Sequence, residues 1–182
     1  MSLPDRGDIN IIRHELERAC KDFSYHVDLL GFVRTKKLIW VRRREWTVDV
    51  IMFHRCGSTY GAATNFKVEV RVHFAIRVLN DSFESLALNG PWSEAGRVRE
   101  GRYHLSFNAK TGSMYDRCLN DLVRFVKAAG EPWFESFSKA EKLISENDTP
   151  LTPVSKALLS SAMTGETDAS NLASSLTLLG LK

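Results

Sequence analysis

Between residues 64 and 78 apolar and polar side chains alternate almost without interruption. Phe66, Val68, Val70, Val72, Phe74, Ile76 and Val78 share one parity; Lys67, Glu69, Arg71, His73 and Arg77 share the other. Successive residues of a strand point to opposite faces of a sheet. A period of two over this length therefore predicts a long strand with one face on a core and the other in water or against a ligand. Such a strand needs neighbours and a covering layer, so the rest of the chain must supply both.

The neighbours are legible. Residues 37–41 and 46–53 read as strands joined by a polar tip, Arg42, Arg43, Arg44 and Glu45, and residues 102–108 alternate again as a fourth strand. The covering layer is helical. From Asp8, the apolar residues Ile9, Ile12, Leu16, Cys20, Phe23 and Val27 recur at helical spacing, and Gly31 suits the helix end. Residues 113–129 repeat that pattern through Cys118, Leu122, Val123 and Val126, Gly130 is expected to close the helix, and a short helix follows with Trp133, Phe134 and Phe137. Residues 80–102 read as a long connection, because Asn89, Gly90 and Pro91 break any helix started by Phe83 and Leu86.

After Asp148 the composition shifts to Ser, Thr, Ala and Leu. Residues 149–182 are expected to form a helical or partly disordered extension on an α+β domain of residues 1–148, and a chain ending at Asp148 is expected to fold. The fold class is α+β: an antiparallel sheet of about four strands with helices packed on one face and a helical C-terminal extension.

With 182 residues, 43% of them hydrophobic, the chain can bury a full core. Lys and Arg number 25 against 22 for Asp and Glu, a net charge of +3 that is too slight to imply nucleic acid. The three cysteines are odd in number, and Cys20 and Cys118 lie in apolar helical stripes, which points to a reducing, cytoplasmic setting. No apolar run approaches the roughly 20 residues of a membrane span, and the N-terminus lacks a signal-peptide pattern. Neither a metal nor a cofactor is expected, since no HxxxH, CxxC, phosphate-loop or dinucleotide motif occurs.

The order of motifs carries a resemblance. Leu29-Leu30-Gly31-Phe32-Val33-Arg34, Leu38-Ile39-Trp40-Val41-Arg42, Val48-Asp49-Val50-Ile51, Phe66-Lys67-Val68-Glu69-Val70 and Glu131-Pro132-Trp133-Phe134-Glu135-Ser136-Phe137 follow one another as in a mainly bacterial family called domain of unknown function 4304. The chain resembles that family over roughly residues 10–145. The segment His73-Phe74-Ala75-Ile76 departs from it, because members often place a glycine there. The resemblance implies the α+β fold and no catalytic residue, since the family has no established reaction.

Two groups of residues are candidates for binding. Asp49, Arg71, His73, Arg77 and His104 are expected to lie opposite the apolar rows of their strands, where mixed charge and two imidazoles can meet an anion or form an acid–base pair. A solvated sheet face would have the same polar pattern. Arg42, Arg43 and Arg44, with Trp40 and Trp46 nearby, form a basic hairpin that suits an acidic partner or, less well, a single strand of nucleic acid. Charge at such a tip also guards against aggregation. Cys56 follows His54 by two residues, a thiol with a neighbouring base, but the segment has the composition of an ordinary loop. The expected function is a non-enzymatic binding or interaction domain, monomer or homodimer, for another protein or a small anionic ligand. An enzyme using His73, His104 and Asp49 is the alternative.

Overall fold

The structure is a computed structural model that describes residues 6–55, 66–93 and 103–182. The expected strands form one antiparallel meander of five: β1 (Val33–Lys36), β2 (Ile39–Arg43), β3 (Thr47–Arg55), β4 (Lys67–Val78) and β5 (Ser106–Asn108), paired in chain order. The fifth is β1, a short edge strand whose register with β2 slips between Arg34 and Lys36. At the tip, Arg42 and Arg43 belong to β2 rather than to the turn, and the Arg44 N–H closes it on the Thr47 carbonyl at 2.8 Å.

Helix α1 (Arg6–Asp28) ends as expected, with Gly31 at φ +84°, a conformation that a Cβ disfavours. The stripe from Ile12 to Val27 packs on the β4 row from Val68 to Val78. Helix α2 (Tyr115–Phe125) joins the same core through Cys118 and Leu122. Gly130 does not close the helix. The chain runs on through a π-helical turn (Val126–Gly130) into α3 (Glu131–Ser136), with Gly130 in right-handed helical conformation at φ −71° and its bare Cα against the Phe74 ring, where an added Cβ would come within 2.7 Å of a ring carbon. Phe134 is fully buried against Phe32 and Phe74, and Trp133 and Phe137, partly buried, pack against the same core.

Helices α4 (Ala140–Ser145), α5 (Pro153–Met163) and α6 (Ala169–Leu179) complete the chain. Side chains cap both C-terminal helices: Thr152 accepts from the Ser155 N–H, and Asp168 accepts from the Ser170 and Asn171 N–H groups. They dock on the α+β body. Leu159 of α5 enters the main core, while α6 lies on the opposite sheet face, where Leu179 packs with Val41, Val48, Val50 and Ala75 in a second core. Strand β3 is therefore apolar on both sides at this end, as a doubly covered strand must be. Among the described residues no helix is long and apolar enough to cross a membrane.

Candidate functional site

The second face of the sheet is half covered and half open. Cross-strand pairing puts Val48, Val50, Met52 and His54 of β3 beside Arg77, Ala75, His73 and Arg71 of β4. Helix α6 covers the end that holds Val48, Val50 and Ala75. Beyond it, His54 and Arg71 are exposed and His73 is half-buried.

The chain after β4 returns to this open end and fixes an aromatic ring there. Residues 89–93 pair with the outer edge of β4: the Phe74 N–H donates to the Pro91 carbonyl at 3.1 Å, and the Ser93 N–H donates to the Val72 carbonyl at 2.9 Å. The Val72 N–H in turn donates to Ser93 Oγ at 2.7 Å. These bonds set Trp92 opposite His73 as an isolated bridge. The two rings stack at 5.8 Å and 8°, His54 meets His73 edge-on at 6.1 Å, and the Arg71 guanidinium lies 5.8 Å from the Trp92 ring. Trp92 stays 48% exposed, a large aromatic surface held rigidly in water. Burial, then His54 and Arg71, hold the His73 imidazole below its ordinary value.

Only part of the expected constellation assembles. Arg71 and His73 meet; Asp49 does not join them. It pairs with Ile76 across the ladder and so stands on the main core side, 1% exposed. The parity of β3 is ambiguous in sequence because Val48 and Val50 are as apolar as Ile51 and Phe53. Arg77 shares the face of His73 but is buried under the C-terminal helices, with its Nε donating to Ser175 Oγ at 2.9 Å. His104 lies near β5 and lines a shallow depression with Lys67 and Ser106, its N–H bound to Asp121 Oδ2 at 2.6 Å. Trp92 and His54 complete the cluster, although the sequence marks His54 only as the neighbouring base of Cys56 and gives Trp92 no role. The signal for Trp92 was a lone tryptophan directly after a Gly-Pro break, a place where a core residue is unexpected.

The basic hairpin is largely neutralised. Arg42 and Arg44 both donate to Asp49 Oδ2, at 3.0 and 2.9 Å from Nε, and reach Glu131 and Glu135 of α3. Burial pushes the Asp49 carboxyl above the usual range, against the pull of Arg44 and Arg42. Trp40, expected between the cations, is fully buried with its Nε1 donating to Ser24 Oγ. Arg43 alone of the three arginines is exposed.

Cys20 and Cys118 are buried, and burial pushes each thiol up to about 12, which makes them inert at neutral pH. Cys56 lies outside the described residues. Among the described residues no group of three or more His, Cys, Asp or Glu could hold a metal ion. Comparison of the chain with protein-family models, with curated proteins and with solved structures finds no match.

Proposed function

We propose that this chain is a non-enzymatic binding domain that recognises an anionic group, carried by a small ligand or by another protein, on the open end of the second sheet face. The observation that carries the reading is the half-exposed Trp92, fixed by backbone pairing to β4 and grouped with His73, His54 and Arg71. A rigid aromatic surface beside a guanidinium and two imidazoles offers stacking, charge and hydrogen bonds to one flat anion without the cost of ordering a loop. The enzymatic alternative loses its support with Asp49, which stands on the other side of the sheet. Membership of the 4304 family belongs to the same proposal and rests on the order of motifs from Leu29 to Phe137. The cytoplasmic setting rests on the two buried, unpaired thiols.

Titration with phenyl phosphate, followed through the His73 ring and Trp92 indole NMR signals, tests this reading. Saturable shifts of both, weakened by salt, are expected. Fixed signals there, with shifts around Arg43 instead, would make the hairpin the binding element.

A further inference from the structure

A second site lies on a different part of the molecule. Where the connection after β4 passes the start of α5, a cavity of about 510 Å3 opens, within the range of small-ligand pockets. Phe83, Ala87, Pro150, Leu151 and Val154 wall it with apolar surface. Phe83 and Val154 are 58% and 61% exposed, large side chains left in water beside a concave apolar surface.

Arg77 also lines this cavity, and its guanidinium is buried. Nη1 donates to the Ser85 carbonyl at 2.9 Å, and Nη2 donates to the Phe83 and Asp81 carbonyls at 2.7 and 3.3 Å. With Nε on Ser175 Oγ, these contacts occupy four of the five N–H donors and leave one on Nη1. All four acceptors are neutral. The acid among the described lining residues, Asp81, has Oδ1 engaged by the Phe83 N–H at 2.9 Å and Oδ2 by the Ser155 hydroxyl at 2.7 Å. Asp81 acts on the guanidinium from a distance, without an ion pair among the described residues, and desolvation outweighs it, so an anion entering from the apolar side adds counter-charge where burial leaves the cation undersupplied.

We infer that this cavity binds a small amphipathic acid, its apolar body between Phe83 and Val154 and its carboxylate at Arg77. Pocket volume, apolar walls and one cation with a spare donor together select that chemistry over a purely polar anion, which would gain nothing from the walls, and over a hydrocarbon, which would leave the cation as it is. The cavity's lining shares no residue with the Trp92 cluster, although Asn89 of the same returning segment borders it.

Calorimetric titration of the whole chain with decanoate, and with decanol as the neutral probe of equal length, tests the inference. Decanoate is expected to bind saturably, one per chain, and about tenfold or more tighter than decanol, the margin of a charge-assisted contact. Ala87 is exposed, so Ala87→Trp should fill the cavity without unfolding the protein, abolishing decanoate binding at an unchanged melting temperature. Equal affinity for the two probes, binding undiminished in Ala87→Trp, or no saturable decanoate binding up to about millimolar concentration would each overturn it. So would decanoate-induced NMR shifts at His73 and Trp92 in place of Phe83 and Val154.

Discussion

Arg77 of β4 donates from Nε to the hydroxyl of Ser175 in α6 at 2.9 Å, and both side chains are buried. This bond crosses from the sheet to a segment that composition alone sets apart as a tail. The C-terminal helices are therefore a structural layer, and that changes what their removal should do.

A chain ending at Asp148 is expected to lose its cooperative thermal transition or to aggregate. The cut exposes Val41, Val48, Val50 and Ala75, now at most 2% accessible, and strips Leu159 from the main core. Leu179→Ala, a milder change, should cost about 2–4 kcal/mol in denaturant unfolding. A truncated chain that melts cooperatively near the full-length temperature would show that α6 covers nothing of consequence.

Substitution at neighbouring β4 positions separates the faces. Val70 is 3% exposed in the main core, whereas Arg71 is exposed on the other side. Val70→Asp should cost about 3 kcal/mol or more, and Arg71→Ala about 0.5 kcal/mol or less, by chemical denaturation. Similar losses in the two variants would refute the assigned faces.

The main strands, the first two helices and the α+β class were legible because their periods are strict: two in residues 66–78 and near 3.6 in residues 9–27. The faces of β3 were not. A strand with apolar residues on both parities gives no parity signal, and Asp49 sits inside the row that includes Ile51 and Phe53. Its cation partners, Arg42 and Arg44, read as solvent-facing because nothing local shows that α3 returns to the hairpin with Glu131 and Glu135. The Trp92 site depends on residues 89–93 folding back onto β4, a pairing too short to leave an alternating pattern.

Asp49→Ala should destabilise the protein by about 3–5 kcal/mol, since it leaves Arg42 and Arg44 in a partly buried site without the carboxylate they share. Arg43→Ala, at the exposed position between them, should fall within about 0.5 kcal/mol of the parent. Urea melts of both variants check the contrast.

Gly130→Ala puts a better helix former at a helical position, yet it should lower the melting temperature. The new methyl group meets the Phe74 ring at 2.7–3.1 Å, and displacing that ring disturbs its stack on Phe125 at 5.3 Å. A loss of about 1–3 kcal/mol is expected, more than the roughly 1 kcal/mol of helix propensity gained.

The His73 imidazole is held below its ordinary value of 6.5 by burial, His54 and Arg71. The unfolded chain then binds the proton more readily than the folded one between that depressed value and 6.5, so His73's contribution to stability is complete above this window and is lost as pH falls through it. Anion affinity should move the opposite way, rising as pH falls, with its midpoint below 6.5 rather than at it. Melting curves, and titrations with benzenesulfonate, whose charge is fixed from pH 7.5 to 5 whereas a phosphate monoester protonates at about pH 6, read both signs, with His73→Gln as the reference in which the His73 contribution is absent.

The dissociation constant for phenyl phosphate in Trp92→Ala, Arg71→Ala and Arg43→Ala, each compared with the parent chain at one pH and salt concentration, tests the proposed binding face most directly. Losses of about fivefold to tenfold in the first two, with Arg43→Ala unchanged, are predicted from a stacked and charge-assisted contact. Unchanged affinity in Trp92→Ala and Arg71→Ala, with the loss confined to Arg43→Ala, would contradict the account.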